Sequence, residues 1–585
     1  MVCREMLESR GLCTPRKSLS AVNVLQIKGK GIGDTSNEGC IEENMIYISA
    51  SGIYGRCSNC KSEFPTLSSM LEHMDRLGIS ASVASNLEAR DLHELEPNKK
   101  LLEDIENTPE ARDRIIPAIT VSPRNAYEPE TLAWIKEQLA SGRVGILAIH
   151  PFTCLFSLNQ LDRLFGELAE YSPVVVVSDN DLRTSQAYRE LGLVAERFPN
   201  MKFIVNDCMW KGFGNLCDIA WKHENIYLGN AQLHVIKTLE TIRDYIGHNR
   251  ALFSFGHKSI GGAPMAAIVY SSLEESEKEA AAGKTLLSLL PNRGEAERIW
   301  SAAREMEPLV KNNLWKEFIK GNGLQNVDIV DVHGHLGTQG EGWYIPEINP
   351  QNQFRDLKED MDHCGVKGII LSELSAFMCD VYARNMAMAE KFIGQEEQFM
   401  GYFVCQPFYP EDYTEEKLEA AFATGKFVGI KLHPDCWQVA VTEEDYAPAL
   451  NFADKYKLPV LIHSWDGMYD SAAQVGEVAA RYPNAVFLIG HSGGGDLGRR
   501  QSVEAAKKLD NVYLEFSGSF MAKTCWEDTF SKVGADRIMF GTDTCGHNIA
   551  WELGRLLSCD IDDESLKKIL AKNIRKVLSE IKINK

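Results

Sequence analysis

From Met45 onward, short β-branched or apolar runs alternate with longer amphipathic stretches. The runs are MIYIS (45–49), ISASVAS (79–85), RIIPAITV (114–121), VGILAIH (144–150), PVVVVS (173–178), KFIVND (202–207), NIYLGN (225–230) and ALFSFG (251–256). Helical stretches such as LDRLFGELAEY (161–171) lie between them, and a last one, GEAERIWSAAREM (294–306), follows a loop. Eight strand–helix units in roughly 250 residues predict a closed (β/α)8 barrel of parallel strands. After a charged connector within EPLVKNNLWKEFIKGNGLQN (307–326) the pattern returns. Its runs are VDIVDVH (327–333), VKGIILSE (366–373), FMGYFVCQP (399–407), FVGIKLHP (427–434), PVLIHS (459–464), AVFLIGHS (485–492), NVYLEFSG (511–518) and RIMFGTD (537–543). A closing helix, DESLKKILAKNIRKVLSEI, completes the second set. The expected class is α/β: two tandem TIM-like barrels. The expected boundaries are a loosely ordered leader (1–44), a first barrel (45–308), a connector (309–326) and a second barrel (327–585).

The two halves also align. SGRVGILAIHPF (141–152) matches TGKFVGIKLHPD (424–435), VAERFPNMKFIVND (194–207) matches VAARYPNAVFLIGH (478–491), and NRALFSFG (249–256) matches DRIMFGTD (536–543). MIYISASGIYG (45–55) stands opposite DIVDVHGHLG (328–337). Self-similarity at this period predicts a tandem duplication.

Chemistry gathers in the second half. Successive side chains on a strand alternate faces, so His333 and His335 project together beside Asp331. Alone, this short motif suits a metal or merely two polar residues leaving a strand. Further along, Lys431 and His433 close the fourth run, His463 the fifth, His491 the sixth and Asp543 the eighth. Active sites of (β/α)8 barrels lie at that end of the strands. Five histidines and an aspartate there predict a metal site. In the first half the equivalent positions are Ser49, Ser51, Ile53, Ala148, Val177, Asp207 and Gly256. Ser, Val, Ile and Gly there cannot replace imidazole and carboxylate ligands. The first barrel is therefore expected to be a non-catalytic copy that stabilises the second, packs in an oligomer or closes over its site. A shifted metal site from Cys57, Cys60 and Asp207 is the alternative for that half.

Composition narrows the partners. The 585 residues are 44% hydrophobic and 25% charged, with a net charge of −20. That disfavours a nucleic-acid or anionic-membrane surface and leaves a small-molecule substrate, with a homo-oligomer compatible. No apolar run is long enough to span a bilayer, and the N-terminal residues carry no apolar signal segment. Fifteen cysteines without regular spacing suit free thiols in a reducing cytoplasm. Cys57 and Cys60 form the one CxxC pair, readable as redox-active, as half a zinc site or as chance.

DxHxH on the first run of the second half, IHSWDG (462–467), GHSGGGDLGRR (490–500) and FGTDT (540–544) together resemble the amidohydrolase superfamily. More narrowly, they resemble its amidohydrolase-related (amidohydrolase 2) branch, which holds metal-dependent hydrolases and non-oxidative decarboxylases. The resemblance covers roughly 326–585. It implies His333, His335, His463 and Asp543 as ligands of a single divalent ion, taken as zinc, and His491 and Asp543 as catalytic residues. Lys431 stands where some members carry a carbamylated lysine bridging two metals, and otherwise binds substrate or is structural. Substrate contacts are expected from Lys431, His433, Trp465, Arg499 and Arg500, with Trp343, Tyr344 and Asp466 on nearby loops. His433 also suits a plain loop-entrance role, and the two arginines suit either a substrate carboxylate or surface ion pairs. The implied activity is hydrolysis of an amide, ester or lactone by a metal-activated water. Decarboxylation of a small carboxylic acid is the alternative, and a non-catalytic scaffold the third reading.

Overall fold

The structure, a computed structural model, describes residues 45–58, 61–258, 260–337, 352–518 and 525–583. The leader 1–44, Cys60, Trp343 and Tyr344 lie outside the described residues.

Every predicted run carries a strand or, in one case, a bridge. The first half holds β1 (Ile48–Ser49), β2 (Ile53–Tyr54), β3 (Ala81–Asn86), β4 (Ile115–Thr120), β5 (Ile146–Ile149), β6 (Val174–Ser178), β7 (Lys202–Asn206), β8 (Ile226–Gly229) and β9 (Ala251–Leu252). They form a parallel sheet in the order β1-β3-β4-β5-β6-β7-β8-β9, with β2 beside β3. Ala50 N donates to Phe253 O at 2.8 Å and brings the first and last strands together. The second half holds β10 (Val330–Leu336), β11 (Gly368–Glu373), β12 (Phe399–Val404), β13 (Phe427–Leu432), β14 (Pro459–His463), β15 (Val486–Gly490) and β16 (Val512–Leu514), paired in sequence order. Parallel neighbours in chain order require a crossover between each pair, which helices supply. Both halves are TIM-like α/β barrels.

The eighth run of the second half, RIMFGTD, departs from a full strand. It joins the sheet through isolated bridges, Leu514–Ile538 and Gly334–Thr544. The reason lies at Thr542, whose N donates to Asp331 Oδ1 at 3.1 Å and whose hydroxyl donates to Asp331 Oδ2. The ladder there is replaced by side-chain bonds. Asp331 also accepts from His333 N at 2.9 Å, so it ties strand ends together rather than joining the histidines.

Alternation sorts each strand. In β6, Val174 and Val176 join the interior of the first barrel, while Val175 and Val177 join the layer under the helices. Both faces are buried, which is why the runs read as continuous apolar stretches. Val330, Val332, Ile370, Tyr402, Leu461 and Leu488 fill the second interior.

The connector is a packed element rather than a spacer. It contains a helix, Asn313–Phe318, whose Trp315 is fully buried. Asn312 donates to Leu557 O and Cys559 O, both at 3.0 Å, and Tyr270 donates to Phe318 O at 2.8 Å. Backbone conformation repeats between the halves. Asp207 and His491 have φ of 53° and 56°, and Gly256 and Asp543 have φ of 56° and 63°. No helix among the described residues is long and apolar enough to cross a membrane.

Candidate metal centre

The β10 strand delivers His333 and His335 to the mouth of the second barrel. A register irregularity between Asp331 and Gly334 precedes His335, which then pairs with Ser372 on β11. That register sets a hydrogen bond: Ser372 Oγ lies 2.7 Å from His335 Nδ1. Across the mouth, Asp543 N donates to His333 O at 2.6 Å, so the chain end after Met539 is docked on β10. Gly518, at φ of 79°, lets Asp543 come close; a Cβ there would stand 2.5 Å from Asp543 Oδ2.

Three donor atoms converge. His335 Nε2 is 3.0 Å and His333 Nε2 is 3.7 Å from Asp543 Oδ1. His333, His335 and Asp543 form a group able to hold a metal ion. The far sides of both imidazoles are engaged. His333 Nδ1 faces Glu515 Oε1 at 2.8 Å and Ser517 Oγ at 3.0 Å. A carboxylate there draws the proton to Nδ1 and aims the Nε2 lone pair inward, as metal-binding histidines require. Burial, with Lys431 adding to it, pulls His333 down to about 3, so the ring is neutral. Burial also lowers His335. It opposes ionisation of Asp543, yet His335 and His333 hold that carboxyl well below the usual range.

The other expected residues distribute as follows. Lys431, 1% exposed, lies with Nζ 2.9 Å from His333 Nε2, and burial lowers it to about 8. His491 Nδ1 donates to Ser517 O at 2.8 Å, and its Nε2 is 3.1 Å from His463 Nδ1. His463 thus stands beside His491 rather than within the trio. His433 accepts from Cys436 N at 3.3 Å and stacks on His463 at 3.9 Å between centroids, a packing and capping position. Trp465 lies 5.8 Å from the His491 ring, over the mouth. Asp466 accepts from Gly498 N and anchors the following loop. Arg499 is drawn away by ion pairs to Asp496 at 3.3 Å and Asp528 at 3.6 Å, and Arg500 is exposed.

Sequence reasoning passed over Glu515, His547 and Ser372. Glu515 was visible as a charged residue inside the apolar run NVYLEFSG. Burial works against its ionisation, but His333 and Ser517 hold it well below the usual carboxylate range. His547 Nε2 lies 3.5 Å from Asp543 Oδ2, and its ring stacks on His234 of the first barrel at 4.5 Å. Neither histidine of that stack sits on a periodic run.

The family model for amidohydrolases matches residues 330–579. No curated protein matches the chain. Solved structures with a similar fold include a 2,6-dihydroxybenzoate decarboxylase from Rhizobium, 18% identical over 43% of this chain and 99% of that one, with a TM-score of 0.37. Another is a 5-carboxyvanillate decarboxylase from Sphingomonas paucimobilis, 12% identical over 43% and 99%, with a TM-score of 0.35. A third is a dihydroxybenzoic acid decarboxylase from Polaromonas with bound manganese, 19% identical over 43% and 97%, with a TM-score of 0.37. The amidohydrolase match is thus confined to the second barrel, where His333, His335 and Asp543 form a group able to hold a metal ion.

Proposed function

We propose that the second barrel is a hydrolase acting on the carbonyl of a small-molecule amide, ester or lactone, with one zinc ion per chain. The observation that carries the reading is the convergence of His333 Nε2, His335 Nε2 and Asp543 Oδ1, with the outer imidazole nitrogens already engaged. These two imidazole nitrogens and a carboxylate oxygen are the donor types a divalent ion takes, and their proximity puts them within reach of one ion. His333, His335 and Asp543 would hold a divalent ion, which when bound would supply Lewis acidity and lower the pKa of water from about 16 to about 7. Ser517 O fixes the His491 proton on Nδ1, which leaves Nε2 as the acceptor for the proton of an attacking water. His463 Nδ1 then donates to that same Nε2 in the resting site, so we assign His463 to proton handling. Lys431 supplies a buried positive charge opposite a developing oxyanion. The φ agreement at Asp207 and His491, and at Gly256 and Asp543, supports a tandem duplication in which the first barrel lost its ligands.

One observation favours decarboxylation as a second reading. Lys431 is a buried ammonium at the mouth, suited to a substrate carboxylate, while Arg499 is engaged elsewhere. His491 would then carry the proton that replaces carbon dioxide. A substrate screen in 18O-labelled water separates the two. Label in a new carboxylate supports hydrolysis, and carbon dioxide release without label overturns it. Metal analysis is the companion measurement: about one divalent ion per chain, lost in His333→Ala/His335→Ala, is expected.

A further inference from the structure

The first barrel has lost the ligands but kept a mouth. A cavity of about 100 Å³ opens at the C-terminal ends of its strands, floored by Val83, Ala118, Ala148 and Val176. Ala148 aligns with Lys431, Ser51 with His333 and Gly256 with Asp543, and all three line the cavity, so shorter side chains have made the space. Beside the hydroxyls of Ser51, Ser85 and Ser178 and the His257 ring, three side chains around it offer acceptor atoms. Asn206 is 5% exposed; its Nδ2 donates to Ala50 O at 3.0 Å, and its Oδ1 has no partner among the described residues. His150 faces Asp181 Oδ2 through Nδ1 at 3.4 Å. That carboxylate draws the proton to Nδ1, which makes the buried Nε2 an acceptor without a partner. Asp207 accepts from Ser178 Oγ at 2.9 Å through one oxygen only. Among the described residues no lysine or arginine lines the cavity. The groups close enough to hold a metal, among the described residues, are both in the second barrel.

We propose that this mouth binds a small N–H-rich cation: a primary amine, amidine or guanidine with an apolar body. Its donors satisfy Asn206 Oδ1, His150 Nε2 and Asp207, and its hydrocarbon covers the valine–alanine floor. A buried acceptor without a donor carries its whole desolvation cost, so a ligand supplying donors gains by relieving it. An anion meets the Asp207 carboxylate here and is repelled. The net charge of −20 draws cations to the surface as a whole.

Calorimetric titration of the full chain with benzamidine and n-butylammonium tests this, with benzamide and butyrate as neutral and anionic counterparts. Saturable binding of a cation is expected, weakened about ten-fold in Asp207→Asn and unchanged in His333→Ala/His335→Ala. Asn keeps the acceptor for Ser178 and tolerates the φ of 53° at this position. A second variant, Ala148→Leu, fills the floor and should abolish binding while the circular dichroism spectrum is retained. Equal affinity in Asp207→Asn overturns the proposal. So does binding lost with the second-barrel histidines, which would locate the cation there. Preference for butyrate, saturation by a divalent metal in the double-histidine variant, or no saturation by either cation at millimolar concentration overturns it too.

Discussion

Both oxygens of the Glu515 carboxylate are spent. Oε1 faces His333 Nδ1 at 2.8 Å and accepts from His491 N at 2.7 Å; Oε2 accepts from Ser517 N at 2.8 Å. Every partner is a donor, and the residue is fully buried. An amide in its place must aim its own N–H at one of them, so one buried contact turns donor against donor. Glu515→Gln also weakens the hold on the His333 proton that aims Nε2 inward. Loss of such a partner behind a ligating histidine lowers metal affinity by about 10- to 100-fold. The expected result in a chelator competition is a fall of that size with the fold retained. Unchanged affinity would detach Glu515 from the metal centre. The same contact shows what could be read from the chain in advance. His333, His335 and Asp543 stood out because buried strands rarely end in imidazoles and carboxylates. Glu515 obeyed that rule as well, one strand earlier. Arg499 was only half legible: its i,i+3 partner Asp496 shares its helix, but Asp528 lies on another helix whose approach only the fold decides.

At the scale of elements, the loop after β8 crosses from the first barrel to the second. His234 O accepts from Asn548 N at 2.7 Å, Ile236 N donates to Gly546 O at 3.2 Å, and Val235 bridges His547. The rings of His234 and His547 stack 11° from parallel, and His547 in turn reaches Asp543. The first barrel therefore braces the loop that presents Asp543. His234→Ala removes the ring and keeps the backbone bonds. Metal affinity should drop about ten-fold, and His234→Phe, which restores a stacking face, should recover most of it. Equal affinity in wild type and His234→Ala would reduce the stack to packing. Strands were legible because burial on both faces writes continuous apolar runs. This loop was not, because its partners are on another barrel and no local period encodes them. The eighth strand of the second barrel failed for a related reason: Thr542 spends its backbone and hydroxyl on Asp331, a contact the run RIMFGTD does not display.

For the molecule as a whole, the boundary between the halves is itself a core. The helices Ala263–Val269 and Ile549–Leu557 lie face to face, with Ile260, Ala263, Ala267 and Trp551 packed between them. Gly554 sets the approach. A Cβ there would stand 2.7 Å from Ala266 Cβ and 3.0 Å from Ala263 Cα, closer than packed carbons allow. The facing atoms include main chain on a helix held by its own barrel, so neither side yields easily. Gly554→Val should therefore cost about 1–3 kcal/mol by forcing the helices apart. The diagnostic is how that cost is distributed. The buried connector helix and the His234 loop join the barrels at two further places, so wild type should unfold in one transition that chelation lowers. Coupled barrels predict that Gly554→Val moves this single transition down, and metal retention with it. Two transitions in wild type, or a variant in which only the first barrel loses stability, would mean that the halves fold independently and that the first barrel lends the second barrel's site no support.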